Sequence, residues 1–125
     1  MAMIEGGSSE MIFVYNSKRD LDKQALAYIS VFSDKIIKLD VQSSTLEHSF
    51  LADLSGRLGV GYQDLVDHEC EQLKSQEYYL HLSTPKQYID LIVKHPDYLK
   101  TPVLIYGDKA HFISKETDLL QLSFL

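Results

Sequence analysis

"MIFVYNSKRDLDKQALAYISVF", residues 11–32, decides how the rest of the chain is read. Met11–Tyr15 is an apolar run of β-formers, the pattern of a buried strand. After a short polar loop, Leu21, Ala25, Tyr28, Ile29 and Phe32 fall at steps of 0, 4, 7, 8 and 11, which is one face of a helix. Asp20 or Asp22 stands in the first turn, where a carboxylate can accept backbone N–H groups that lack helical partners. "KIIKLDV", residues 35–41, is a second strand. A strand, a helix and a strand over about thirty residues is the size of a right-handed βαβ unit.

Beyond this unit the chain turns helical. In "SSTLEHSFLADLSGRLG", Thr45 is the natural N-cap; Leu46, Phe50, Leu51, Leu54 and Leu58 form an apolar stripe, and Gly59 fits the position just past the helix end. Residues 62–83 read as helical in pieces, with weaker periodicity. Ser83-Thr84-Pro85 opens another helix that runs through "KQYIDLIVKH" and stops before Pro96. "TPVLIYGDKAHFIS" has hairpin grammar: strands Val103–Tyr106 and Ala110–Ile113 around a Gly107-Asp108-Lys109 turn. The last residues, 115–125, suit a short amphipathic helix capped by Ser114. The expected class is therefore α/β: a four-stranded mixed sheet, βαβ plus ββα, with a helical insertion at about 44–96. That layout is thioredoxin-like. Residues 1–10 are expected to be a flexible lead-in, and 11–125 a single domain.

Composition narrows the function. The net charge is −6 and only two residues, Arg19 and Arg57, are arginines, so no nucleic-acid partner is expected. No apolar run reaches membrane-spanning length and no leader peptide opens the chain, so no membrane is expected and the default compartment is the cytoplasm. Cys70 is the single cysteine, which excludes an internal disulfide, a Cys-x-x-Cys pair and a thiolate zinc site. The five histidines are scattered without metal-ligand spacing, so no metal is expected. Of the eight tyrosines, Tyr78 and Tyr79 offer the best exposed apolar patch; the plainer reading is that the tyrosines cover the sheet.

"YNSKRDLDKQALAY", residues 15–28, and "KHPDYLKTPVLIYGDKAHFISKETDLL", residues 94–120, resemble two segments of the glutaredoxin-coupled arsenate reductase (ArsC/Spx-like) family. The first resembles its Asn-Pro-x-Cys loop and following helix, the second its hairpin region. The resemblance spans roughly residues 11–122 and implies a thioredoxin-like fold. It also implies a reaction in which a thiolate at a helix N-terminus attacks arsenate while arginines hold the oxyanion. On that pattern Asn16 matches the loop asparagine, Ser17 stands at the proline, and Arg19 stands where the nucleophilic cysteine belongs. Lys23 falls where an arginine often opens the helix. Thr101 and Ser114 occupy the positions of oxyanion arginines. Arg57 lies too early to supply another. Pro102 resembles the family's cis-proline.

A guanidinium stays protonated and cannot act as a nucleophile. No catalytic residue is expected, and the chain reads as a relative of the reductases that is redox-inactive and works as a binding or regulatory module. Its candidate ligand-binding residues are Asn16, Ser17, Lys18, Arg19, Thr101 and Pro102, suited to a protein partner, a small anion or a thiol peptide. Asp20 and Asp22 argue against an anion, since they already occupy the positive helix end; Arg19 paired with a solvated Asp22 is the plainer reading. The alternative is a thiol-dependent oxidoreductase working through Cys70 or a partner's thiol. Only under that alternative does glutathione enter as a cofactor. Glu69 and Glu71 flank Cys70 and would make its thiolate scarcer.

Overall fold

The computed structural model describes residues 11–31, 36–68 and 84–113. They fall into two compact units: residues 11–44 with 101–113, and residues 45–100.

The first unit holds the sheet. Its strands are β1 (Met11–Tyr15), β2 (Ile36–Asp40), β3 (Val103–Tyr106) and β4 (Lys109–Phe112), in the order β2-β1-β3-β4. β1 runs parallel to β2 and antiparallel to β3, and β3 pairs antiparallel with β4. The long crossover from β1 to β2 carries helix α1 (Asp20–Ser30). The mixed sheet, βαβ followed by ββ, is the architecture expected from the sequence. The closing helix after Ser114 lies outside the described residues.

Phe13, Ala25, Ile29, Leu104 and Ile113 form the core on the α1 face, with Met11, Tyr15, Leu26, Tyr28 and Ile36 packed around them. On the opposite face Ile12, Val14, Val103 and Ile105 are also buried. Covering both faces explains why β1 and β3 read as continuous apolar runs rather than alternating ones.

Two local expectations change. The hairpin turn is Gly107–Asp108 alone; Lys109 pairs with Tyr106 and belongs to β4, which ends at Phe112. Gly107 takes φ of 60°, the left-handed value a two-residue hairpin turn requires at its first position. On α1, Leu21 is 42% exposed, and Asp22 takes the inward place at 1% exposure.

In the second unit α2 spans His48–Leu58 and α3 spans Pro85–Lys94, with short 3-10 turns at Tyr62–Leu65 and Pro96–Tyr98. Phe50, Leu51 and Leu54 of α2, Leu65 and Val66, and Ile89, Leu91 and Ile92 of α3 are buried, as are Leu46, Tyr98 and Leu99. Thr45 is not the N-cap: the helix begins at His48 with Glu47 as N-cap and no side-chain cap bond. Leu46 is buried ahead of the helix rather than on it, so burial sets where the first turn starts. The other end follows the sequence. Gly59 is left-handed at φ 72°, and the Val60 N–H reaches back to the Ser55 carbonyl. α3 opens on a capping box: Thr84 Oγ1 accepts the Gln87 N–H while Gln87 Oε1 accepts the Thr84 N–H, with Pro85 at the first helical position. It ends at Lys94, before Pro96, as expected.

The six described tyrosines, Tyr15, Tyr28, Tyr62, Tyr88, Tyr98 and Tyr106, are all buried or half-buried. Tyr78 and Tyr79 lie outside the described residues.

Candidate functional site

The loop between β1 and α1 is built around Asn16. Its side-chain Oδ1 accepts the Lys18 N–H at 3.0 Å, a local turn that asparagine forms readily. Its carbonyl accepts the Arg19 N–H at 3.0 Å. Gln42, just beyond β2, donates Nε2 to the same Oδ1 at 3.0 Å. The loop is thereby tied to the C-terminal end of β2, and Asn16 is 3% exposed.

Asp40, the last residue of β2, holds the loop from the same side. Its Oδ1 accepts the Ser17 N–H at 3.1 Å and the Gln42 N–H at 3.0 Å. Desolvation pushes the Asp40 carboxyl up, but hydrogen bonds from the Ser17 hydroxyl and these two N–H groups outweigh it, leaving it below the usual carboxylate range. Tyr15 is raised above the ordinary phenol value, first by burial and then by the Asp40 charge.

Arg19 is the N-cap residue of α1, with an extended backbone at φ −101° and ψ 126°. Its Nη1 donates to Thr101 Oγ1 at 3.4 Å. A hydroxyl has one proton, and Thr101 directs it to Asp22 Oδ2 at 2.5 Å. The same Asp22 oxygen accepts the Asn16 N–H at 2.8 Å. A guanidinium, a hydroxyl, a carboxyl and a backbone amide thus form one chain of hydrogen bonds. Arg19 is half-buried and Asp22 and Thr101 are buried. Asp22 is therefore not the solvated partner the sequence suggested. The solvated ion pair at this helix end is Asp20 with Lys23, at 3.4 Å, with the Asp20 side chain 90% exposed.

The Thr101–Pro102 peptide is cis, as the family resemblance implied, and the Pro102 carbonyl accepts the Ile113 N–H at 3.0 Å. Of the sequence-selected residues, the structure links Asn16, Arg19 and Thr101 by hydrogen bonds through Asp22, sets Ser17 against Asp40, and leaves Lys18 exposed. Ser114 and Cys70 lie outside the described residues. Arg57 sits on α2 and pairs with Asp53 at 3.4 Å.

Asp40 and Gln42 were missed, and Asp22 was read as a helix-end charge and a solvated partner of Arg19. Thr101 lies 79 positions from Asp22, so no local pattern could announce that contact. Among the groups hydrogen-bonded to one another here there is no thiol and no imidazole. Asp40, held low, is a weak base for the Ser17 hydroxyl at neutral pH. These bonds hold the loop after β1 in place.

The second unit carries an open cleft of about 510 Å³ lined by His48, Ser49, Ala52, Tyr62, Pro85, Lys86 and Ile89. At its rim Asp90 accepts His48 Nε2 at 2.7 Å and Lys86 Nζ at 2.9 Å, and these two bonds, His48's first, hold its carboxyl low. Among the described residues no cluster of three metal-ligating side chains forms and no helix is long and apolar enough to cross a membrane.

No protein-family model matches the sequence, and no curated protein matches it significantly. Solved structures do match the fold. An arsenate reductase from Vibrio cholerae aligns with TM-score 0.79 at 15% identity, over 92% of this chain and 98% of its own. A Yersinia pestis protein assigned provisionally as an arsenate reductase gives 0.80 at 14%, over 90% and 99%. An arsenate reductase (ArsC) related protein from Brucella melitensis gives 0.71 at 15%, over 97% and 100%. At such identities the likeness is one of fold: this chain has the thioredoxin-like fold that arsenate reductases share.

Proposed function

We propose that this chain is a redox-inactive relative of the glutaredoxin-coupled arsenate reductases that acts in the cytoplasm as a binding or regulatory module. The observation that carries this reading is at the N-cap of α1. Where the family resemblance calls for a thiolate, Arg19 stands instead, tied through Thr101 to the buried carboxyl of Asp22. A thiolate at a helix N-terminus gains from the positive end of the helix dipole. Here Asp20 and Asp22 already occupy that end, so a second negative charge would meet repulsion. Thr101, which follows the family pattern at the position of an oxyanion arginine, is already engaged at both its donor and its acceptor. Loss of a single oxyanion donor typically costs about 2.7–4 kcal/mol of transition-state stabilisation. Loss of nucleophile and donors together leaves neither half of the family reaction.

The Ser17–Arg19 stretch of the loop, with Lys18 exposed and Asn16, Thr101 and Pro102 buried beneath it, remains as a recognition surface. A protein segment suits it better than a small anion, for the same electrostatic reason. The test is the coupled assay: purified protein, arsenate, glutathione, glutaredoxin, and oxidation of the nicotinamide reductant followed over time. Turnover is expected to equal the no-protein control. Turnover that rises with protein and disappears in Cys70→Ser would establish the thiol-dependent alternative, with glutathione as its reductant.

A further inference from the structure

β2 is an end strand of the sheet, and among the described residues nothing pairs with its outer edge. Its hydrogen-bond parity is fixed by the Val41 N–H, which reaches the Tyr15 carbonyl of β1 at 2.9 Å. Odd-numbered residues of β2 therefore point their backbone groups at β1. Ile36, Lys38 and Asp40 point theirs outward. Lys38 is exposed, and Ile37, on the opposite face of the strand, is 47% exposed.

We propose that this edge is a self-association surface on which a second copy of the chain pairs β2 with β2, antiparallel, about a two-fold axis at Leu39. Antiparallel pairing sets outward-pointing residues against each other, which leaves few registers. One places Lys38 against Lys38 of the second copy. Another places Asp40 against Asp40. Both set like charges face to face. The register centred on Leu39 places Lys38 against Asp40 twice, by symmetry, on one face. On the other face Leu39 meets its own copy, and Ile37 lies opposite the position of Val41, whose side chain is already buried just past the strand end. The hydrogen bonds that tie Asp40 down keep it anionic and in place at the end of the strand. Its carbonyl takes the Ser43 N–H at 3.1 Å and, more weakly, the Ser43 hydroxyl at 3.4 Å, the bond that the incoming Lys38 N–H displaces. An edge lysine usually guards against strand pairing. Here the same lysine rejects the wrong registers and favours one. The interface is isologous, as a closed dimer requires.

The test is sedimentation of the full chain over a wide concentration range, with amide hydrogen exchange read residue by residue. A monomer–dimer equilibrium is expected, with the Lys38 and Asp40 amides gaining protection as the dimer forms. Lys38→Glu turns both attractive pairs repulsive and should weaken the dimer roughly 30-fold, while Lys38→Arg should leave it within about threefold of the native chain. Lys38 is exposed, so circular dichroism should show both variants folded. A chain monomeric at every concentration overturns the proposal. So does a dimer whose Lys38 amide stays unprotected, or one that Lys38→Glu and Lys38→Arg weaken equally.

Discussion

Asp22→Ala is expected to lower the free energy of unfolding by about 3 kcal/mol, read as a fall in urea midpoint at unchanged slope. The side chain is 1% exposed and accepts both the Asn16 N–H and the Thr101 hydroxyl. Alanine leaves those two donors buried without their acceptor, at about 1–3 kcal/mol each before relaxation. It also leaves the Arg19 guanidinium bonded to a Thr101 hydroxyl whose proton has lost its carboxyl acceptor. Asp22→Asn separates acceptor from charge. Its amide oxygen can still take both bonds, so its cost should stay near 1 kcal/mol. Equal costs for the two variants would mean that the charge, not the acceptor, matters; a cost below about 0.5 kcal/mol for alanine would place Asp22 among ordinary surface sites.

Phe13→Ala should cost as much or more, about 3–5 kcal/mol. Phe13 is fully buried at the centre of the α1-side core, against Ala25, Ile29, Leu104 and Ile113. Its ring also stacks on Tyr15 with centroids 6.0 Å apart. Truncation removes the transfer energy of the ring and opens a cavity that β1, held by a strand on each side, cannot close. Val31, at 82% exposure, is the control: Val31→Ala should shift stability by no more than about 0.5 kcal/mol. Thermal or urea unfolding of the two variants side by side checks the contrast.

Much of this architecture could be read before any coordinates. β1 and α1 announce themselves because each buries its own apolar face, and the capping box at Thr84 and the left-handed Gly59 are local chemistry written in four or five residues. The start of α2 was not legible in the same way. Thr45 is a good cap by type, yet Leu46 is needed in the core ahead of the helix, and burial overrode the propensity. The Leu21–Asp22 exchange on α1 has the same origin. A periodic reading puts leucine inside and aspartate outside, but Asn16 and Thr101 supply the hydrogen bonds that let the aspartate go in. The first donor stands six residues away in the loop before α1, but the second comes from 79 residues away, so the site's polar core is completed by the fold rather than within any window of sequence. Asp40 and Gln42 belong to the same category: nothing in "KLDVQ" shows that it will hold the loop after β1.

The central claim is that the N-terminal end of α1 is electrostatically unfit for a catalytic thiolate. The direct measurement is the thiol pKa of Arg19→Cys in a Cys70→Ser background, where a single sulfur reports on that position, followed as alkylation rate against pH. With Asp22 buried and Asp20 beside it, the midpoint should fall at or above the ordinary cysteine value of about 8.5. A midpoint below about 7, the range of activated cysteines at helix N-termini, would contradict the account.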